Sequence, residues 1–251
     1  MCCTDHTEEG AKLFKEGFFK EAAYHFEQDL SIEPYNSMRL YNVARCYEEL
    51  SQYDDAISLF EQSIKNDPTF IDAYSGRGRC FYKNGEYNSA LIDFATVTRL
   101  DKTNAEPYYL AGLCYLKDSI YDEAAVTFNK ALRIDPNFHL ARYNKAIANA
   151  AMANILYALK DFNYLIKERA ILPKSYLNRG FIYENMGNYA FAINDYSKAI
   201  EGGYVNARIL KRRGLCYLEL NKPVQACKDF QLLQNYDIPT ARELTHKYCS
   251  E

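Results

Sequence analysis

The sequence contains no run of about 18 consecutive apolar residues, so it predicts no transmembrane helix. Residues 1–14 include neither a basic stretch nor an apolar one, and no secretory signal is expected there. The net charge is only −3 over 251 residues, which gives no bulk attraction to nucleic acid or to a membrane surface. With 48% hydrophobic and 25% charged residues, the composition predicts an ordered, soluble protein with enough apolar material for a core.

Phosphate-binding glycine motifs are also missing, although residues 74–87 hold three glycines and two arginines. A phosphate loop needs a strand before it and a helix after it, because backbone N–H groups and the helix N-terminus hold the anion. Gly76, Gly78 and Gly85 fit neither G-x-G-x-x-G nor G-x-x-x-x-G-K-[ST], and no strand precedes them. These glycines are therefore predicted to serve packing and a turn.

Metal and catalytic signatures are absent as well. There is no C-x-x-C, and the four histidines are far apart in sequence, so no zinc site is predicted. No Ser-His-Asp, Cys-His or paired-carboxylate arrangement can be assembled, because the acids are scattered along the chain. We expect a protein that is not an enzyme and that binds no cofactor.

What the sequence does contain is a strict 34-residue period. Stepping by 34 residues from Gly78 meets glycine or alanine every time; an alanine stands twelve residues after each, and an aromatic residue four further on. Three columns in phase, without insertion or deletion, identify tandem repeats. The columns are Gly10, Ala44, Gly78, Gly112, Ala146, Gly180 and Gly214; Ala22, Ala56, Ala90, Ala124, Ala158, Ala192 and Ala226; and Phe26, Phe60, Phe94, Phe128, Phe162, Tyr196 and Phe230.

Each repeat is predicted to form two helices. Apolar residues recur at helical spacing in two runs, separated by turns such as residues 83–87, where Gly or Asn suits left-handed backbone. The small residue and the alanine let the two helices approach closely, and the aromatic residue fills the space toward the next repeat. All seven prolines fall at predicted helix ends or first turns.

The period and columns resemble those of the tetratricopeptide repeat (TPR) family, as do the closing Asp67-Pro68 and Asp135-Pro136. The resemblance implies an all-α fold: a right-handed α-α superhelix (TPR solenoid) of seven helix-turn-helix repeats, forming a single domain over residues 3–240. A C-terminal capping helix is predicted over residues 241–251, with Thr240 as its N-cap. The predicted repeats are 3–36, 37–70, 71–104, 105–138, 139–172, 173–206 and 207–240.

A base and an acid appear together in four of the repeats. The base directly precedes the small residue, and an aspartate follows sixteen residues later; the other three repeats lack both. This joint appearance predicts a salt bridge between the two helices of a repeat, worth about 0.2–1 kcal/mol if exposed. The pairs are Arg77–Asp93, Lys145–Asp161, Arg179–Asp195 and Arg213–Asp229.

Four of the eight cysteines share one column, two residues after the small position. Equivalent residues of adjacent repeats should lie on the order of 10 Å apart, beyond the roughly 7 Å that a disulfide tolerates. They are predicted to be reduced core thiols, which indicates a reducing compartment and favours a cytoplasmic location. S-acylation of Cys2 or Cys3 is not favoured, because no polybasic stretch follows. The column is Cys46, Cys80, Cys114 and Cys216.

The resemblance also implies a peptide-binding groove along the first helices of the repeats. Its floor is apolar in repeats 4 to 6 and its rim turns basic toward repeat 7. An apolar floor of this size must be covered by a partner or be turned partly inward, and we favour the partner. The implied groove residues are Tyr109, Leu110, Leu113, Leu116, Leu140, Tyr143, Ile147, Leu177 and Phe181, with Lys174, Asn178, Arg208, Lys211 and Arg212 on the polar side.

These features predict a non-catalytic adaptor or scaffold that binds an acidic, partly apolar peptide or helix across repeats 4 to 7. The alternative is a co-chaperone that grips the acidic C-terminal peptide of a heat-shock chaperone. Asn178, Arg208 and Arg212 resemble the last three members of the family's carboxylate clamp, but Tyr143 and Ile147 stand where the clamp has Lys and Asn. A third reading is self-assembly into a homo-oligomer through the same groove.

Overall fold

The computed structural model describes residues 6–249, and this part of the chain contains fifteen α-helices and no strand. The fold is an all-α helical repeat solenoid, as predicted. None of the helices between residues 6 and 249 is both long and apolar enough to span a membrane. The helices are α1 (His6–Glu16), α2 (Phe19–Ile32), α3 (Ser37–Glu49), α4 (Tyr53–Asn66), α5 (Ile71–Asn84), α6 (Tyr87–Leu100), α7 (Glu106–Lys117), α8 (Tyr121–Ile134), α9 (His139–Ala151), α10 (Ile155–Lys167), α11 (Leu172–Asn185), α12 (Tyr189–Glu201), α13 (Ala207–Glu219), α14 (Pro223–Leu233) and α15 (Ile238–Tyr248).

The chain divides into two compact units between Pro136 and Asn137. The first unit holds α1 to α8 and the second holds α9 to α15. Within each unit, consecutive helices pack in pairs joined by short turns, and each pair packs on the next. The expectation of one domain over residues 3–240 stays a prediction.

Close contact between a small residue and an aromatic ring holds each helix pair together. All seven alanines of the second column are fully buried, and no aromatic residue of the third column is more than 4% exposed. A Cβ added to Gly78 would lie 2.8 Å from the Phe94 ring, and one added to Gly76 would overlap the ring of Phe60 in the preceding repeat. The glycines of residues 74–87 are thus packing and turn residues, as predicted.

The turn inside every described repeat uses one left-handed residue, two positions before the second helix begins. At Gly85, the N–H groups of Gly85 and Glu86 donate to the carbonyls of Tyr82 and Phe81, which is the Schellman pattern. Glycine or asparagine was predicted here, but serine or alanine occupies the same conformation in three repeats. The turn residues, with φ between +55° and +85°, are Gly17, Ser51, Gly85, Ser119, Ala153, Gly187 and Asn221.

The four predicted ion pairs form, and their carboxylates are buried rather than exposed. Arg179 is bidentate, with Nε and Nη2 each 2.7 Å from an oxygen of Asp195, which is 1% exposed. Its Nη1 donates to Asn163 on the second helix of the preceding repeat. Arg213 repeats this arrangement with Asp229 and Ser197. Each of these arginines therefore connects three helices and links neighbouring repeats.

The lysine pair of the fifth repeat needs a second base. Lys145 Nζ lies 3.1 Å from Asp161, and Arg142 Nη1 lies 3.3 Å from the same carboxylate. The Arg142 guanidinium also stacks 3.9 Å from the Tyr164 ring centroid. Since lysine carries a point charge and cannot bind both carboxylate oxygens in a fork, Arg142 supplies the missing contact. This accounts for an arginine where three of the other repeats have tyrosine.

The C-terminal helix begins earlier than the sequence predicted. Its N-cap is Asp237, whose side chain accepts from the Thr240 N–H at 3.2 Å, so the prediction of Thr240 as N-cap is wrong. The reason is that Pro239 fits the first turn of a helix, which lets α15 start before it. Ala241 and Leu244 pack into the core cluster of the preceding repeat.

A disulfide joins Cys227 of α14 to Cys249, just after α15. This pair was not predicted, because no repeat column relates the two residues. The four thiols of the shared column are free and buried, as predicted, and burial raises the pKa of each to about 12. With a disulfide present, cysteine usage no longer favours a reducing compartment. Cys2 and Cys3 lie outside the described residues.

The left-handed turn predicts opposite effects for two reciprocal substitutions. Ala153→Gly removes a Cβ from a residue at φ +58° and should raise the free energy of unfolding by about 0.5–1 kcal/mol. Gly85→Ala should lower it by about 1 kcal/mol, although no atom lies within 4 Å of the added Cβ. Urea unfolding followed by circular dichroism measures both changes. If both substitutions changed the free energy of unfolding in the same direction, the backbone explanation would be contradicted.

Removal of one partner of a buried ion pair should lower the free energy of unfolding far more than removal of one partner of an exposed pair. Arg179→Met leaves the Asp195 carboxylate buried without its base and should lower the free energy of unfolding by about 3–5 kcal/mol. The matched control is Lys198→Met, which breaks a 2.8 Å pair with Glu201 at the surface and should leave the free energy of unfolding almost unchanged. If chemical denaturation showed a similar decrease in the free energy of unfolding for both variants, the buried pair would stabilise the protein no more than the exposed one.

The disulfide should stabilise the C-terminal helix pair. It closes a segment with a sequence separation of 22, which restricts the unfolded chain by up to about 3 kcal/mol. Cys249→Ser, or dithiothreitol on the wild type, should lower the thermal midpoint of unfolding. Dithiothreitol should leave the midpoint of the Cys227→Ser variant unchanged; a further decrease there would mean that reduction acts elsewhere.

Candidate functional site

The predicted groove residues fall into both compact units. The Tyr109–Leu116 group lies on α7 of the first unit, and the remaining residues lie on α9, α11 and α13 of the second. Leu140 is an exposed residue, with 50% of its surface accessible. The other apolar groove residues are less exposed than Leu140 and are partly covered by the protein. The apolar floor therefore presents less free surface than the sequence implied.

Several apolar side chains of helix α7 pack against other helices of the first unit. The Tyr109 ring lies 6.0 Å from the Phe128 ring, and Leu110 packs against the cluster that contains Phe94. Leu113 and Leu116 are half-buried as well. Inward packing, which the sequence analysis considered as the second possibility, accounts for part of this set.

In the second unit, Tyr143 joins the floor to the core. Its ring lies 6.0 Å from Phe162, and its hydroxyl accepts a 2.8 Å hydrogen bond from the Asn178 amide. Burial raises the pKa of Tyr143 above its ordinary value, so the phenol is neutral. Asn178 also donates to the Lys174 carbonyl at 3.1 Å. The Asn178 amide is therefore already hydrogen-bonded to two groups of the protein.

The basic rim is built around the Phe181 ring. The Arg212 guanidinium lies 4.3 Å and that of Arg208 5.7 Å from the ring centroid. Arg212 is already paired with Glu184 at 3.0 Å, and Glu184 also accepts from the Tyr196 hydroxyl. Arg208 is exposed and has no ion pair within residues 6–249.

A cavity of about 370 Å³ opens at this rim. Arg208 and Lys211 bring positive charge to it, and Leu215, which the sequence analysis missed, supplies an apolar wall. A carboxylate placed here would meet charge-assisted donors on one side and apolar surface on the other. The lining residues are Glu184, Arg208, Lys211, Arg212 and Leu215.

The carboxylate-clamp set is only partly available. Asn178 and Arg212, two of its three matching members, are bound to Tyr143 and to Glu184. Arg208 alone keeps unpaired donors, because Phe181 takes only the face of its guanidinium.

The first unit has two further cavities, of about 850 and 410 Å³, near α1 to α3. The larger is lined by acids and bases in similar number, and in the smaller Arg45 stacks 4.2 Å over Phe14. Neither cavity was predicted as a binding site, because their shapes depend on how side chains of successive helices diverge. Across residues 6–249, the structure places no three His, Cys, Asp or Glu side chains together as a metal site.

Comparisons with known proteins agree with this architecture. A tetratricopeptide repeat protein from Parabacteroides merdae ATCC 43184 has a TM-score of 0.70 at 23% identity, covering 98% of each chain. YrrB, described as a TPR protein with an unusual peptide-binding site, has a TM-score of 0.60 at 19% identity, covering 70% of this chain and 91% of its own. The APC/C hetero-tetramer Cut9-Hcn1 has a chain with a TM-score of 0.63 at 19% identity, covering 94% of this chain and 47% of its own.

No curated protein matches the sequence. Three family profiles, each described as tetratricopeptide repeat, match residues 41–105, 105–138 and 173–201. The matched segments begin and end near the repeat boundaries, and the helix pairs follow the same period. The chain belongs to the tetratricopeptide repeat family.

Proposed function

We propose that the protein is a non-catalytic adaptor or scaffold whose second unit binds an acidic, partly apolar peptide segment of a partner protein. The binding surface is the face of α11 and α13 around Phe181, Arg208 and Lys211. One observation carries the proposal: Arg208 and Lys211 line a cavity beside an aromatic ring, and neither forms a salt bridge within residues 6–249, although Lys211 is near enough to Asp237 to help lower its pKa.

The charge balance of the cavity favours an acidic ligand. Glu184 pairs with Arg212, and Asp237, which is not a lining residue, interacts electrostatically with Lys211. Arg208 therefore contributes most of the excess positive charge of the cavity. Bidentate contacts from arginine to a carboxylate are among the strongest charged hydrogen bonds, and Leu215 offers apolar surface next to them. A peptide with an acidic residue beside an apolar one matches both halves of the site.

Two related structures support this class of function. YrrB is described by its peptide-binding site, and Cut9-Hcn1 is a hetero-tetramer. Binding of another polypeptide is thus a use to which similar helical repeats are put. Which partner this chain binds is not carried by fold similarity, because one fold supports many functions.

Charge reversal should test the site. Arg208→Glu combined with Lys211→Glu should weaken binding of a fluorescein-labelled peptide rich in Asp, Glu and Leu by about tenfold or more, measured by fluorescence anisotropy. The control is Lys130→Glu, an exposed charge on α8. Arg212 is left intact, since its reversal would also break the pair with Glu184. Unchanged affinity in the double variant would reject the site.

The same titration separates the competing functions. Amidation of the peptide C-terminus should not change its affinity, because the acidic side chains are the ligands; a loss would favour the carboxylate-clamp co-chaperone instead. Light scattering without peptide should give a mass independent of protein concentration. A mass that rises with concentration and falls in a Phe181→Ser variant would favour self-assembly.

A further inference from the structure

The second unit carries a set of exposed apolar side chains that the proposed peptide site does not use. Leu156 and Tyr157 on α10, Phe191 on α12 and Val224 on α14 are 81%, 67%, 62% and 67% exposed. All four lie in the first turn of the second helix of a repeat. We call them the first-turn apolar set.

The set follows the repeat register. Leu156 and Val224 occupy one column, and Tyr157 and Phe191 occupy the next, each 34 residues or a multiple of 34 apart. Because equivalent positions of stacked repeats fall on the same side of the stack, these side chains belong to one edge of the second unit. The same two columns are polar throughout the first unit: Lys20 and Glu21, Asp54 and Asp55, Asn88 and Ser89, and Asp122 and Glu123.

Positive charge stands one turn behind the apolar tips. Lys160 follows Leu156 by four residues and Lys228 follows Val224 by four, so each lysine shares a helix face with an apolar tip. Lys222 directly precedes α14, and none of these three lysines has an ion pair within the described chain. No acid occupies the first turn of α10, α12 or α14.

We propose that this edge binds the surface of an anionic lipid bilayer. One helical turn rises 5.4 Å, and interfacial segments bury their apolar side about 5–10 Å deep, so apolar tips in the hydrocarbon boundary would leave the lysines among the headgroups. The tyrosine of the set has an apolar body and a polar end, which suits the same boundary. Glu219, the acid that ends α13 at this edge, is outnumbered by the three lysines.

A folded protein partner with a complementary surface fits this edge less well. The tips come from three separate helices and protrude, whereas a partner helix is held in a groove that buries a continuous apolar face. A fluid, negatively charged surface needs only apolar contact and charge complementarity, and both are present. The proposal is independent of the peptide site around Phe181.

The absence of tryptophan makes the test direct, since the wild type has no tryptophan emission. Phe191→Trp should show a blue-shifted emission with vesicles of phosphatidylcholine and phosphatidylserine, and none with phosphatidylcholine alone. Ile92→Trp, at a site 68% exposed on α6, is the matched control and should not respond. Added salt should weaken the response of Phe191→Trp.

Flotation with the same vesicles provides the second measurement. The Leu156→Ser, Phe191→Ser, Val224→Ser variant and the Lys160→Glu, Lys228→Glu variant should each lose binding by about tenfold or more. Thermal unfolding should be unchanged in the lysine variant and should change little in the serine variant, where the contact between the Phe191 and Tyr183 rings, 5.4 Å apart, is lost. Failure of the wild-type protein to bind anionic vesicles, or equal binding by the variants, would overturn the proposal. A concentration-dependent mass that the serine variant abolishes, without vesicle binding, would assign the edge to self-association and overturn it as well.

Discussion

The contact between a small residue on the first helix and an aromatic ring on the second is the constraint on which the structure depends. Helices of eleven to fourteen residues are marginal alone in water, so each must gain its stability from packing. The Phe94 ring packs so closely on Gly78 that a Cβ added there would lie 2.8 Å from it. Phe60 reaches on to Gly76 of the next repeat, which makes the same contact a link between repeats.

Buried charge adds direction to that packing. The contact between a ring and a glycine is not directional. A bidentate hydrogen bond from arginine to a carboxylate is directional, so it restricts the relative orientation of the two helices that carry the residues. Arg77, Arg179 and Arg213 each bind an aspartate of their own repeat and reach a polar group of the preceding one. Burial raises the pKa of Asp93 and the Arg77 hydrogen bonds oppose it, so desolvation outweighs those hydrogen bonds at this carboxylate.

Framework and recognition use the repeat positions differently. Core columns keep their residue type throughout, whereas the surface columns change between units. In the second unit the first helices of the repeats carry the bases around Phe181, and the second helices carry the first-turn apolar set. In the first unit, by contrast, Arg79 and Glu48 satisfy each other through two hydrogen bonds. Both proposed functions therefore belong to the second unit.

The sequence alone determined the repeat length, the helix pairs, the buried thiols and the partners of all four interhelical ion pairs. It could do so because packing recurs in register, which turns a three-dimensional contact into a fixed spacing. Tertiary structure decided what has no period. It placed Glu184 on Arg212 and Asn178 on Tyr143, closed the bond from Cys227 to Cys249, and set how far each side chain stands out. Those outcomes depend on distances between particular side chains, which no column of the sequence records.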